Sequence, residues 1–339
     1  MKIQILHACA ALLLTASAVS VQAQEVSIRV ADSFPVGHYA VEEGLKPFMD
    51  AVKERTDGAV DFQYFPAGQL GKAEDMMQLL QSGVADITYI QPSYLSDKLP
   101  LSSIVGLPGL VKQSCASSRA YMEVGGEEGL LGKEEFRPNG MRLLLAIVTR
   151  PYQLQTKTEL KSIGDLSGMK VRSGGGTQEV AVTELGAVPV RVSGPEMYEA
   201  LSRGTADAVI LPLASVLSYD LQGLVKFSTE TASFGSTAMT YFISDALWDK
   251  LSPEQQTIVM EEGMKASMAG CEFVDNQFEE VAAQLTDAGM TIQDLPEAED
   301  AKLADILNKV TQEWTEEMKE RGKPAAELLD AYNAAGGAE

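Results

Sequence analysis

Arg172 and the glycines just after it, Gly174 to Gly176, are the residues whose type and spacing best suit chemistry. A guanidinium offers a planar fork of donors that matches a carboxylate. In SGMKVRSGGGTQEV, Ser167 to Val180, Gly168 permits a turn and Met169 to Arg172 has strand character. Thr177 then opens a helical pattern with Val180, Val182 and Leu185 as its apolar positions. A strand that runs through glycine into a helix N-terminus leaves free N–H groups and the positive dipole end facing out. It also lacks the Cβ atoms that keep ligands off the backbone. The implied chemistry is the holding of an anion. A surface turn with a solvated arginine fits this window equally well.

Other chemistries are poorly supplied. The chain has two histidines, His7 and His38, and three cysteines, Cys9, Cys115 and Cys271. Lys2, the apolar run Ile5 to Val19 and the small residues Val21-Gln22-Ala23 form an export signal, with cleavage expected after Ala23. The run is too short for a membrane span, and Cys9 lies inside it rather than at its end, which argues against a lipid anchor. Cleavage removes His7 and Cys9. His38 alone cannot build a histidine-rich metal site, two cysteines cannot cage zinc, and a Ser–His–Asp system could use only His38. No metal and no cofactor are expected. Cys115 and Cys271 invite a disulfide in an oxidising compartment. Cys271 also falls on an apolar helix stripe where a reduced thiol packs well, so both states stay open.

The balance of 27 Lys and Arg against 48 Asp and Glu gives a net charge of −21. Nucleic acid and anionic membrane surfaces are therefore poor partners. No later run is long enough to insert in a membrane, and the length suits two domains, each with its own core.

The elements around Arg172 belong to a larger pattern. Val26 to Ala31, Asp61 to Phe65 and Ala85 to Ile90 read as strands, separated by helices over Val41 to Val52 and Met76 to Leu80. Arg119 to Glu135 reads as a glycine-interrupted helix, Met141 to Val148 as a central buried strand, and Pro151 to Thr156 as extended. Such alternation with short glycine-marked joints predicts mostly parallel sheets covered by helices. EDMMQLLQSGVAD, Glu74 to Asp86, is echoed by EMYEALSRGTAD, Glu196 to Asp207, and each leads into an apolar strand. Two similar α/β lobes are the natural reading, although generic α/β grammar also ends helices with glycine. Lys226 to Glu230 and Ala238 to Ile243 are extended and expected to return to the first lobe's sheet. Ser252 with Gln255 caps a helix whose stripe, Met264 to Leu285, predicts one continuous helix to about Ala288, roughly 50 Å long and able to run beside both lobes. Met290 to Leu295 and Ala301 to Met318 read as a strand and a helix, and Gly336-Gly337 starts a fraying tail.

Taken in order, YFPAGQLGKAEDMMQLLQSGVADI, DLSGMKVRSGGGTQEVAVTELGAVPV, GPEMYEALSRGTAD and LSPEQQTIV resemble the DctP-like, C4-dicarboxylate-binding type of solute-binding subunit of tripartite ATP-independent periplasmic (TRAP) transporters. The resemblance covers nearly all of the chain after the signal. It implies a two-lobed α/β periplasmic binding protein fold that closes on one small organic acid, crossed by strands and a long helix. It also implies the small and large subunits of a membrane permease as partners; the export signal places the chain in the periplasm, where a monomer is expected. Lobe I is expected over 24–148 plus about 236–270, and lobe II over 149–235 plus about 271–335. By the resemblance, Arg172 is the carboxylate-binding arginine, with Arg150 a second arginine. Gln91, Phe34 and His38 fall where the first lobe reaches the ligand.

Gly174 and Gly175, with Leu211 and Pro212 after the second Ala-Asp strand, complete the expected site, and Tyr152, Phe234 and Tyr241 are candidate walls. Two departures matter. Gly194-Pro195 stands where many members carry phenylalanine, and Leu211 where many carry asparagine. Both changes point away from C4-dicarboxylates and sialic acid and towards a carboxylate with a less polar or bulkier remainder. Rival readings are an exported enzyme using Asp32, His38 or Asp207, and a binding subunit serving a sensor or an ATP-driven importer.

Overall fold

The computed structural model describes residues 25–338, so the export signal and its cleavage point lie outside the described residues. The first lobe begins as alternating units: β1 (Val26–Ala31), α1 (Lys46–Arg55), β2 (Val60–Phe65), α2 (Met76–Gln81), β3 (Ile87–Ile90), α3 (Ser114–Gly125) and β4 (Met141–Val148). The unbroken apolar run of β4 follows from helices on both faces. Leu143, Ala146 and Val148 pack with residues of α2 and α3, while Leu144, Leu145 and Ile147 pack with residues of α1.

The second lobe comprises β5 (Gln153–Thr156), β6 (Lys170–Ser173), α4 (Thr177–Glu184), β7 (Val188–Arg191), α5 (Met197–Ser202), β8 (Ala208–Leu211), α6 (Leu213–Ser218) and β9 (Phe227–Ser228). The chain returns to the first lobe as β10 (Ala238–Ser244), α7 (Asp245–Trp248) and α8 (Pro253–Asn276). It crosses once more for α9 (Phe278–Asp287), β11 (Thr291–Ile292) and the first part of α10 (Glu297–Glu320), and ends as α11 (Ala325–Ala334) back on the first lobe. The sheet orders are β2-β1-β3-β10-β4 and β11-β9-β5-β8-β6-β7. Strands of the βα units pair in parallel, β1 with β2 and β3, and β6 with β7 and β8. The strands that enter from the other lobe, β10 and β5, pair antiparallel to their βα neighbours. This is a two-lobed α/β fold of two mixed, helix-covered sheets.

Three expectations need correction. Lys226 to Glu230 does not return to the first sheet: its strand, β9, pairs with β5 and β11. The helix expected to run unbroken to Ala288 stops at Gln277, because α8 packs on β4 of the first lobe while α9 packs on α6 of the second. The chain end divides between lobes. Leu303, Leu307 and Val310 of α10 join the second core, whereas Trp314 and Met318 join the first with Ala325, Leu328 and Tyr332 of α11. Residues 325–334 thus form a helix on the first lobe, not a segment of the second.

Cys115 of α3 and Cys271 of α8 form a disulfide. The same two helices share a cap. Asp275 accepts the Ser114 and Cys115 N–H groups, each at 3.0 Å, at the start of α3.

Candidate functional site

In open α/β sheets, ligand sites form at the carboxyl ends of the strands. Here the carboxyl ends of β1, β3, β6 and β8 contribute to one cavity between the lobes, through Phe34, Gln91, Gly174 and Leu211. The space among its walls is about 450 Å³ including its mouth. Phe34, His38, Tyr39, Tyr89, Gln91, Ser93 and Tyr94 line it from the first lobe. Tyr152, Arg172, Gly174, Gln178, Gly194, Met197, Leu211, Ser215 and Tyr219 line it from the second, with Thr149, Thr237 and Met239 at the crossovers.

Arg172 is the cation of this cavity. It is 4% exposed, its Nε donates to the Val192 carbonyl at 2.7 Å, and no carboxylate lies within ion-pair distance of it among the described residues. A guanidinium buried without a counter-ion is costly, so the arrangement is complete only with an anion opposite it. The glycine turn supplies less than expected: the Gly174 N–H donates to Gln178 Oε1 at 2.9 Å and the Gly175 N–H to Ser173 Oγ at 3.4 Å. Both donors are already committed within the second lobe.

The remaining walls are aromatic. Phe34 stacks on His38 with centroids 4.1 Å apart, His38 on Tyr39 at 4.4 Å, and Phe34 meets Tyr89 at 4.2 Å. Tyr219 approaches His38 from the other lobe at 5.4 Å. A Cβ at Gly194 would come within 2.7 Å of the Tyr219 hydroxyl and 3.3 Å of that of Tyr94. The phenylalanine missing at this point of the sequence is therefore answered by two tyrosines reaching in from elsewhere. Gln91 is held by Tyr89, by Thr237 Oγ1 and by Ser93 Oγ.

Burial sets the charge of the other titratable groups. His38 Nδ1 accepts the Ala40 N–H at 3.2 Å, which places the proton of the neutral ring on Nε2. Burial lowers its pKa from 6.5 to about 3. Burial likewise pushes Tyr39 up to about 12 and Tyr152 and Tyr219 higher still, so the phenols stay neutral. Asp32 lies behind the cavity, accepting from the Tyr64 hydroxyl at 2.6 Å, the Tyr241 hydroxyl at 3.1 Å and the Phe34 N–H at 3.2 Å. Burial raises its pKa, with the Tyr64 hydroxyl opposing most.

His38 therefore makes stability depend on pH. Its folded pKa lies below the unfolded value, so its contribution is complete above pH 6.5 and is lost as pH falls towards 3. Between pH 7 and pH 5 the loss should be about 2 kcal/mol. Asp32 and Glu135, both raised by burial, act with the opposite sign, favouring the fold as pH falls. Urea titrations of wild type and His38→Gln at both pH values isolate the contribution of the histidine. Equal pH dependence in the two proteins would contradict it.

Of the residues singled out in the sequence, Arg172, Gln91, Phe34, His38, Tyr152, Gly174 and Leu211 meet at this cavity. Others do not. Arg150 sits 3.4 Å from Asp275 Oδ1 with its guanidinium 4.4 Å from the Phe278 ring centroid, clamping the β4–β5 crossover to the α8–α9 joint. Phe234 and Tyr241 are wholly buried, Phe234 in the second core and Tyr241 on Asp32. Gly175 faces the lobe seam and Pro212 precedes α6 without lining the cavity. Asp207 holds the Lys170 N–H at 3.2 Å, at the far end of β8 from Leu211. Tyr39, Tyr89, Tyr94, Tyr219, Gln178 and Met239 were missed. Tyr94, four residues past the end of β3, is the one that position in the chain could have flagged.

Comparison with known proteins agrees with this architecture. The DctP family model, bacterial extracellular solute-binding protein, family 7, matches residues 35–317. A solute-binding protein of Albidiferax ferrireducens is 25% identical over 295 residues, covering 85% of this chain and 86% of its own length. A TRAP solute-binding protein of Rhodoferax ferrireducens, solved with copurified benzoate, superposes with a TM-score of 0.83 at 24% identity, covering 92% of this chain and 97% of its own. A TRAP periplasmic solute-binding protein of Bordetella bronchiseptica, solved with (R)- and (S)-mandelate, also gives 0.83 at 24% identity, over 92% and 98% of the two chains.

Proposed function

Since the chain belongs to bacterial extracellular solute-binding protein family 7, we propose that it captures an aromatic monocarboxylate between its lobes and delivers it to the small and large subunits of a TRAP permease. One observation carries the reading: Arg172, buried and without a carboxylate partner among the described residues, faces a cavity walled by Phe34, Tyr39, Tyr89, Tyr94, Tyr152 and Tyr219. With His38 neutral, Arg172 is the one cationic side chain in that wall, so it matches one carboxylate. The second carboxylate of a C4 diacid would be buried against phenols and rings, at a cost of several kcal/mol. A flat ring suits aromatic walls through stacked and edge-on contacts. The benzoate and mandelate in the two superposed structures support the same class.

Binding without reaction is part of the proposal. Asp32 is occupied by two phenols and His38 by a backbone N–H, and Asp207 lies at the other end of its strand. Export with cleavage after Ala23 would place the mature chain in the periplasm, where it meets its solute as a monomer.

Calorimetry with benzoate and succinate tests the solute class. Benzoate should bind at least tenfold tighter, and at a hundredfold excess over its dissociation constant it should stabilise the protein by about 2.7 kcal/mol. Tighter binding of succinate would overturn the assignment.

A further inference from the structure

We propose that Arg191, which does not line the solute cavity, is the latch that keeps the lobes shut and sets how long the solute stays. Arg191 ends β7, the edge strand of the second sheet, three strands from β5, where the chain enters that lobe. At about 4.8 Å per strand, that is roughly 14 Å from the β4–β5 crossover, while α10, passing from the second core to the first, runs beside Arg191 through Trp314 and Met318. Its Nη2 donates to the Tyr94 carbonyl at 2.7 Å and lies 3.5 Å from both the Ser93 carbonyl and Ser96 Oγ. These acceptors belong to the turn after β3, in the first lobe. Among the described residues Arg191 has no carboxylate partner, so these oxygens are what hold it.

Two neighbours support the same seam. The Gly194 N–H of the second lobe donates to the Tyr94 hydroxyl at 2.7 Å. At Gly175 a Cβ would stand 2.7 Å from the Ser93 carbonyl and 2.9 Å from Arg191 Nε, and φ is +93°. A side chain there would hold the turn away from the second lobe. Tyr94 thus lines the cavity with its ring while its carbonyl and hydroxyl are gripped by the opposite lobe. Any solute that orders Tyr94 also orders the latch, and opening must break both.

The inference rests on lobe closure around a solute, and the experiment separates the two ideas. Stopped-flow with benzoate as probe reads rates in wild type, Arg191→Ala and Arg191→Lys. A spin-label pair at Glu54 and Ser202, both exposed and on different lobes, reads lobe separation without any solute. Arg191→Ala should raise the off-rate about threefold to tenfold and change the on-rate less than twofold. Arg191→Lys should fall between, since one ammonium can reach part of the same oxygen cluster. In the solute-free Ala variant the label distances should shift to longer values. Off-rate and distances both unchanged in Arg191→Ala would overturn the latch. Wild-type protein that ignores benzoate would overturn the solute class, and the label distances alone would then decide the latch.

Discussion

Arg172→Ala is expected to weaken benzoate binding by a factor of about 30 to several thousand while leaving the fold intact. The range corresponds to 2–5 kcal/mol, the usual cost of removing one partner from a buried, hydrogen-bonded charge pair. The protein should tolerate the change because Arg172 makes one internal hydrogen bond, to the Val192 carbonyl, and no ion pair among the described residues. Removing a buried cation that lacks a counter-ion should even raise the melting temperature of the solute-free protein. Arg172→Lys should lose much of the affinity as well, because an ammonium cannot present the same planar fork. Calorimetry and thermal melts on the three proteins check both halves. Unchanged affinity in the Ala variant would remove Arg172 from the account, and a collapsed melt would recast it as structural.

The second large effect concerns stability. Replacing both Cys115 and Cys271 with serine should cost about 2–5 kcal/mol, because their disulfide closes a loop with a sequence separation of 156. The chain-entropy relation gives roughly 5 kcal/mol for a loop of that length, at the top of the usual range. The link joins α3 to α8 on the first lobe, so the second lobe's melting should change less. The Asp275 cap of α3 remains in the variant, which limits the damage to the helix start. Calorimetric melts with and without reductant provide the test. A reductant-insensitive wild type that melts with the double serine variant would show that the link contributes nothing.

Much of the architecture was legible because it is local. The βα units follow from strands and amphipathic helices separated by glycine, and Ser252 with Gln255 forms the capping box its spacing suggests. Arg172 was legible for a similar reason: the strand end, the glycines and α4 are consecutive in the chain. Arg150 was not, since its meaning depends on Asp275, 125 residues later. Lacking that partner in view, an arginine beside a crossover looks free for a ligand. The aromatic wall was hidden in the same way. Tyr94 and Tyr219 lie on different lobes and meet only across the cleft, while Phe234 and Tyr241 have the same side-chain character and point into cores or onto Asp32.

One misreading came from periodicity itself. The apolar stripe Val274, Phe278, Val281, Leu285 keeps helical spacing across the break at Gln277, because both helices bury a face, though against different lobes.

A crystal structure of the protein grown with benzoate would show directly whether Arg172 holds the carboxylate of the solute. Both carboxylate oxygens should lie within hydrogen-bonding distance of the Arg172 guanidinium, with the ring packed among Phe34, Tyr94, Tyr152 and Tyr219. A benzoate bound elsewhere, or with its carboxylate turned away from Arg172, would contradict that assignment.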